Sequence, residues 1–194
     1  MKQIPLIMDC DPGLDDAIAI LLALAHPEDF QLLGITTVAG NGPLKQTQEN
    51  ARRICELAGR PDIPIFAGSP RPFFPKPSSD SNYTGADIHG ETGLGGCKLP
   101  PPTMALQPMH GVSFIRKAIL ESPEKVTISA SGPLTNIACE LIMDPSLKDN
   151  IEKIVLMGGV IGLGNITPSA EYNFYCDPHA ASVVFKSGIP LVMI

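Results

Sequence analysis

Hydrophobic and polar positions alternate between two periods along the 194 residues of the chain. Ile4–Met8 is a short apolar run, and beyond an acidic turn Leu14, Ala17, Ile18, Leu21, Leu22 and Ala25 recur at helical spacing until His26-Pro27 closes the run. "QLLGITTVAG" (Gln31–Gly40) is rich in β-branched residues and predicts a second strand. "NGPLKQTQENARRICELAG" then predicts a polar helix ending at Gly59, and "IPIFAG" (Ile63–Gly68) a third strand. The second half repeats the pattern, with a helix over Val112–Leu120, a strand over Lys125–Gly132 and a helix in "PLTNIACELIM". A strand in "EKIVLMGG" (Glu152–Gly159), a helix in "DPHAASVVFKSG" and a strand in "IPLVMI" complete it. Asp177 as N-cap, Pro178 in the first turn and Gly188 after the end frame that last helix.

Strand–helix alternation of this kind predicts an α/β fold, with an open, mostly parallel sheet flanked by helices and one domain over residues 1–194. Such sheets bind ligands at the carboxyl ends of their strands. The positions of interest are therefore Asp9–Asp16, Asn41, Gly68 onward, Ser131 and Met157 onward. Ser69–Pro108 breaks the pattern, being rich in Pro, Gly, Ser and Asp without a period. A stretch this long predicts a mobile lid or binding loop, and "ADIHGETGLGG" within it carries His89 among glycines.

Asp9, Asp11, Asp15 and Asp16 crowd one strand-to-helix corner. A helix N-terminus stabilises nearby carboxylates and accounts for Asp15 or Asp16. It does not account for Asp9 and Asp11, which share a face at the strand end. A hard divalent cation does, because all-oxygen sites select Mg²⁺ or Ca²⁺. An EF-hand loop is excluded, since Gly13 falls where a ligand is needed. A phosphatase of the haloacid dehalogenase type also ends a strand in D-x-D. Here, however, Pro12 follows the second Asp, and no later acidic pair stands at a strand end.

With a net charge of −6 and no basic cluster, the chain has no general affinity for nucleic acid or anionic membrane. The apolar run before Asp9 is too short for a signal peptide, and no stretch reaches the ~20 apolar residues of a membrane span. Cys10, Cys55, Cys97, Cys139 and Cys176 are an odd, scattered set without CxxC, which reads as reduced thiols in a cytoplasmic protein.

"DCDPGLDDAIAI" resembles the signature of the inosine–uridine nucleoside hydrolases. "ITTVAGN" (Ile35–Asn41), "HGETG" (His89–Gly93), "GPLTNIA" (Gly132–Ala138), "VLMGG" (Val155–Gly159) and "GNITPSAEYNFYCDPHAA" (Gly164–Ala181) follow in that family's order. The resemblance implies a Rossmann-like fold and Ca²⁺-dependent hydrolysis of the N-glycosidic bond of ribonucleosides, by a homo-oligomer. It implies Asp11, Asp16 and the carbonyl of Ser131 as metal ligands, and Asp11 as the base that activates water. It further implies Asp15, Asn41, Met157, Asn165, Glu171 and Asn173 at the nucleoside, with His89 near the departing base and Asp9 supporting the corner. Glu171 and Asn173 are expected to project the same way from an extended segment, and Tyr172 stands where the family more often has Phe. His110 has no assignable role.

Family members continue beyond the position of Ile194, with another metal carboxylate and an adjacent His. A protein ending at Ile194 is therefore expected to bind Ca²⁺ weakly, turn over slowly and self-associate. The competing expectation is a catalytically impaired module that binds ribose-like ligands or a partner.

Overall fold

In the computed structural model, which describes residues 2–74 and 86–194, the strands β1 (Ile4–Cys10), β2 (Phe30–Thr37), β3 (Ile65–Ala67), β4 (Val126–Ala130), β5 (Ile151–Leu156) and β6 (Leu191–Met193) form one sheet. Its order is β3-β2-β1-β4-β5-β6, and every pairing is parallel. The chain runs outward from β1 to β3, then returns to place β4 on the other side of β1. The turns after β1 and β4 therefore diverge to opposite sides of the sheet and leave a crevice at their carboxyl ends. Asp11 and Ser131 follow those two strands directly.

The two faces are covered by different helices. Leu6, Met8 and Cys10 point with Ile35 and Ile65 into a core shared with α1 (Leu14–Ala25) and α2 (Leu44–Leu57). Ile7 points the other way, into a core built from Val126, Ile128 and Ile154. That core is closed by α4 (Gly111–Glu121), α5 (Thr135–Met143) and α7 (Pro178–Phe185). The strand period of two then puts Asp9 on the Ile7 side, facing the start of α5. The helix closed by Asp177 follows the expected capping, since its Oδ1 accepts from Ala180 N at 3.0 Å and Gly188 has φ +82°.

Several expectations need correction. The inward stripe of α1 is Asp16, Ile20, Ala23 and Leu24, whereas Leu14, Ile18 and Leu22 face outward. Residues 171–173 are not extended: Glu171 caps a short helix, α6 (Tyr172–Cys176). The described part of Ser69–Pro108 is pinned down. It holds the short helix α3 (Ala86–His89), and Gln107 N donates to Ile65 O at 2.9 Å beside β3. Buried Leu94 packs in the α1/α2 core with Leu99, Met104 and Leu106 against it, and the Glu56 carboxylate accepts from Thr103 N at 2.7 Å. Residues 75–85 of the expected lid lie outside the described residues. His110 gains a role, with its Nδ1 accepting from Val112 N at 3.3 Å at the start of α4. Among the described residues no helix is long and apolar enough to cross a membrane. The five cysteines are free thiols, three of them buried.

Candidate active site

Asp11, at the sheet's carboxyl end, is wholly buried, with 0% exposure. Its Oδ2 accepts from Asn41 N at 2.5 Å, and Asn41 Nδ2 donates back to Asp11 O at 3.2 Å. Its Oδ1 is buried and has no hydrogen-bond partner among the described residues. Two glycines make room for the carboxylate. A Cβ on Gly40 would lie 2.1 Å from Oδ2, and one on Gly132 would lie 2.6 Å from Oδ1. Burial, reinforced by the charge of Asp16, pushes the Asp11 carboxyl well above the usual carboxylate range.

Asp16 reaches the same place from the inward face of α1. Gly13 N donates to its Oδ2 at 3.0 Å, and the Ser131 hydroxyl donates to its Oδ1. Burial raises it from 3.8 to about 6, against the pull of the Ser131 and Gly13 hydrogen bonds. Asp15, one residue earlier, turns outward and its side chain is 61% exposed. The helix period thus divides the pair, sending one carboxylate into the site and one to its mouth.

Asp9 supports the corner from behind. Its Oδ1 accepts from Thr36 Oγ1 at 2.5 Å and from Asn136 Nδ2 at 2.8 Å, while its Oδ2 is buried and unpartnered. Burial raises this carboxyl also to about 6. Asn136, the second residue of α5, ties three strand ends together, because its Oδ1 accepts from Ser69 N at 2.7 Å and its Nδ2 also donates to Thr37 O at 3.1 Å. Its alanine variant would leave the buried Ser69 N–H unpaired and strip one donor from a buried carboxylate. It should lose roughly 2–4 kcal/mol of stability. A urea midpoint corresponding to a loss below about 0.5 kcal/mol, the scale of a surface substitution, would contradict that role.

His89 is not on a free loop. It is 8% exposed and its Nδ1 accepts from Leu14 N at 3.2 Å, 4.0 Å from Asp15 Oδ1. That acceptor role leaves the ring proton on Nε2. On the other side of the crevice, the Glu171 carboxylate accepts from Gly159 N at 2.8 Å, Asn173 N at 2.8 Å and Phe174 N at 3.2 Å. Asn173 Nδ2 donates to Ser131 O at 2.9 Å and to Met157 O at 3.1 Å, with Met157 Sδ 3.3 Å away. Asn165 Oδ1 accepts from Tyr172 N at 2.9 Å. A cleft of about 610 Å³ opens beyond Glu171 between Phe74, Phe174 and His179, but none of the four corner aspartates lines it.

The structure therefore gathers Asp9, Asp11, Asp16, Asn41 and Ser131 into one buried corner. It sets Asp15 with His89 at the corner's edge and joins Glu171, Asn173 and Met157 to it through Ser131. Thr36, Asn136, Gly40 and Gly132 were not singled out from the sequence. Only the period-two relation of Thr36 to the strand end, and the position of Asn136 at the start of its helix, could have suggested two of them. Asp11 and Asp16 suit a hard cation, because one buried oxygen lacks a partner and the ionised pair repels without a positive charge. Among the described residues, the three His, Cys, Asp or Glu groups whose ligand atoms lie mutually within 4.8 Å are His26, Glu28 and Asp29. They sit before β2 at the opposite end of the sheet, and Glu28 is exposed.

Comparison with known proteins sets the chain beside nucleoside hydrolases. The pyrimidine-specific ribonucleoside hydrolase RihA of Shewanella oneidensis is 49% identical over 189 residues, covering 97% of this chain and 58% of the relative. A plant nucleoside hydrolase of known structure superposes with a TM-score of 0.90 at 32% identity, over 100% of this chain and 60% of that one. The purine-preferring ribonucleoside hydrolase of Gardnerella vaginalis gives 0.89 at 36% identity, over 97% and 60%. The chain thus spans about three-fifths of the length of the relatives it matches. Residues 6–194 match the profile described as inosine-uridine preferring nucleoside hydrolase, and with the carboxylate corner at the crevice between β1 and β4 the chain belongs to that family.

Proposed function

We propose that the protein hydrolyses the N-glycosidic bond of ribonucleosides, releasing ribose and a free base, with Ca²⁺ held by Asp11, Asp16 and the carbonyl of Ser131. The observation that carries the reading is the Asp11 carboxylate, wholly buried between two glycines with one oxygen lacking a partner. Calcium bound there would supply positive charge that offsets the carboxylates' repulsion and eases deprotonation of water.

The chain's own groups divide the remaining work. Asp11 takes the proton of the attacking water, and Asn41 fixes the carboxylate that receives it. Asp15 at the mouth accepts from a ribose hydroxyl. Glu171 faces the sugar while three backbone N–H groups hold it, and Asn173 keeps its Oδ1 for a hydroxyl. Met157 and Asn165 border that grip. As the bond to the base breaks, positive charge grows on the ribose, and these carboxylates stabilise it. His89 presents Nε2–H on the side of the departing base. The resemblance extends the reading to a single-domain, cytoplasmic homo-oligomer.

Pyrimidine ribonucleosides are the proposed substrates, since the 49%-identical relative is named pyrimidine-specific, whereas the purine-preferring neighbour is 36% identical. Uridine, cytidine and inosine should be compared by release of reducing sugar. Uridine and cytidine should be cleaved faster than inosine, with activity lost in chelator and restored by Ca²⁺. No free ribose from any of the three, or full activity in chelator, would contradict the reading.

A further inference from the structure

Three consecutive residues at the start of α6 reach three different strand ends. Glu171 accepts from Gly159 N at 2.8 Å in the turn after β5, and Asn173 donates to Ser131 O at 2.9 Å after β4. Between them, the Tyr172 hydroxyl donates to Gly40 O at 2.9 Å after β2. Gly40 lies against the Asp11 carboxylate, and the next residue, Asn41, supplies the N–H that holds Asp11 Oδ2. The two sides of the crevice are 132 residues apart in sequence at this contact.

We infer that Tyr172 is a positioning residue, whose hydroxyl fixes the Gly40–Asn41 turn and through it the direction of the Asp11 carboxylate. The physical reason lies in the geometry of the turn. The Gly40 carbonyl and the Asn41 N–H belong to one peptide plane, so a donor on the carbonyl restrains the direction of the N–H. Closure of that plane against Asp11 is needed because, among the described residues, no side chain donates to the carboxylate and one of its oxygens is unpartnered. The tyrosine ring alone could pack as phenylalanine does, so this role belongs to the hydroxyl. The inference concerns the same site as the proposed hydrolysis and rests on Asp11 being its working carboxylate.

Tyr172→Phe removes the hydroxyl and keeps the ring, while Tyr172→Leu removes both. Amide hydrogen exchange, followed residue by residue without added metal, reads the turn directly. Loss of one hydrogen bond should speed exchange at Asn41 about five-fold in both variants, with the amides of Met8 and Ile128 in the central strands unchanged in the Phe variant. Calcium affinity of the Phe variant, by titration of the metal alone, should fall by a similar factor. Unchanged exchange at Asn41 in the Phe variant would overturn the inference. So would equal acceleration at Asn41, Met8 and Ile128, which would mark a general loss of stability. Wild-type protein that releases no ribose from uridine, cytidine or inosine would sink the functional reading, while the exchange comparison would still decide the role of Tyr172.

Discussion

Replacing Asp11 by asparagine should cut uridine hydrolysis by roughly 10²–10⁴-fold, the range expected for loss of a general base, while the protein stays folded. The carboxamide has the size of the carboxylate, so the space between Gly40 and Gly132 still accommodates it. Its oxygen can accept from Asn41 N as before. What it cannot do is take a proton from water or neutralise a cation. In chelator the variant should melt at or above the wild-type temperature, because burial and the charge of Asp16 disfavour the wild-type carboxylate and the neutral amide escapes that cost. With Ca²⁺ the order should reverse, since only the wild type gains the binding energy. Steady-state rates and melting curves, with and without the metal, check both halves. A loss of activity below about ten-fold would remove Asp11 from the proton transfer.

The second large effect is a fall in stability with rising pH in cation-free protein. Asp9 and Asp16 are raised by burial from 3.8 to about 6 in the folded state. Below the lower value both states hold the proton, and the groups cost nothing. As pH rises from there to about 6, the unfolded chain has ionised while the folded chain still holds its protons. Stability therefore drops through that window by about 3 kcal/mol per group, and the raised carboxyl of Asp11 acts in the same direction. Glu56, Asp62 and Asp144 are lowered instead, by hydrogen bonds from Thr103, Arg60 and Ser146, and act in the opposite sense at lower pH from more exposed positions. Urea titrations in chelator between pH 4 and pH 7 should show the decline, and excess Ca²⁺ should flatten it by favouring the ionised carboxylates. Stability that rises across this window in chelator would contradict the assigned burial of the corner.

The parallel sheet and the acidic corner were largely readable from the chain, for a simple physical reason. Short apolar runs alternating with helical spacing leave few alternatives to a parallel sheet, and its carboxyl ends then point to Asp11, Asn41 and Ser131. The buried face of α1 was not readable. Apart from its two aspartates, Leu14–Ala25 is apolar all round, so periodicity cannot choose a side. The side chosen is the one that brings Asp16 inward with Ile20 and Leu24. Helix α6 escaped notice because five residues carry no period and Glu171 is not among the favoured N-caps. His89 was read as part of a mobile loop among glycines, yet its contact with Leu14 N joins positions 75 residues apart. The same holds for Asn136 and Tyr172, whose partners are set by the closing of the sheet and not by local spacing.

Calorimetric titration of Ca²⁺ into chelator-stripped protein, wild type beside Asp16→Asn, tests the central claim most directly, because Asp16 meets the Ser131 hydroxyl where β4 ends and α1 begins. The account predicts one site in the wild type and at least about ten-fold weaker binding in the variant, whose fold should be intact by circular dichroism. Equal calcium affinity in the two proteins, or no calcium binding by the wild type, would contradict it.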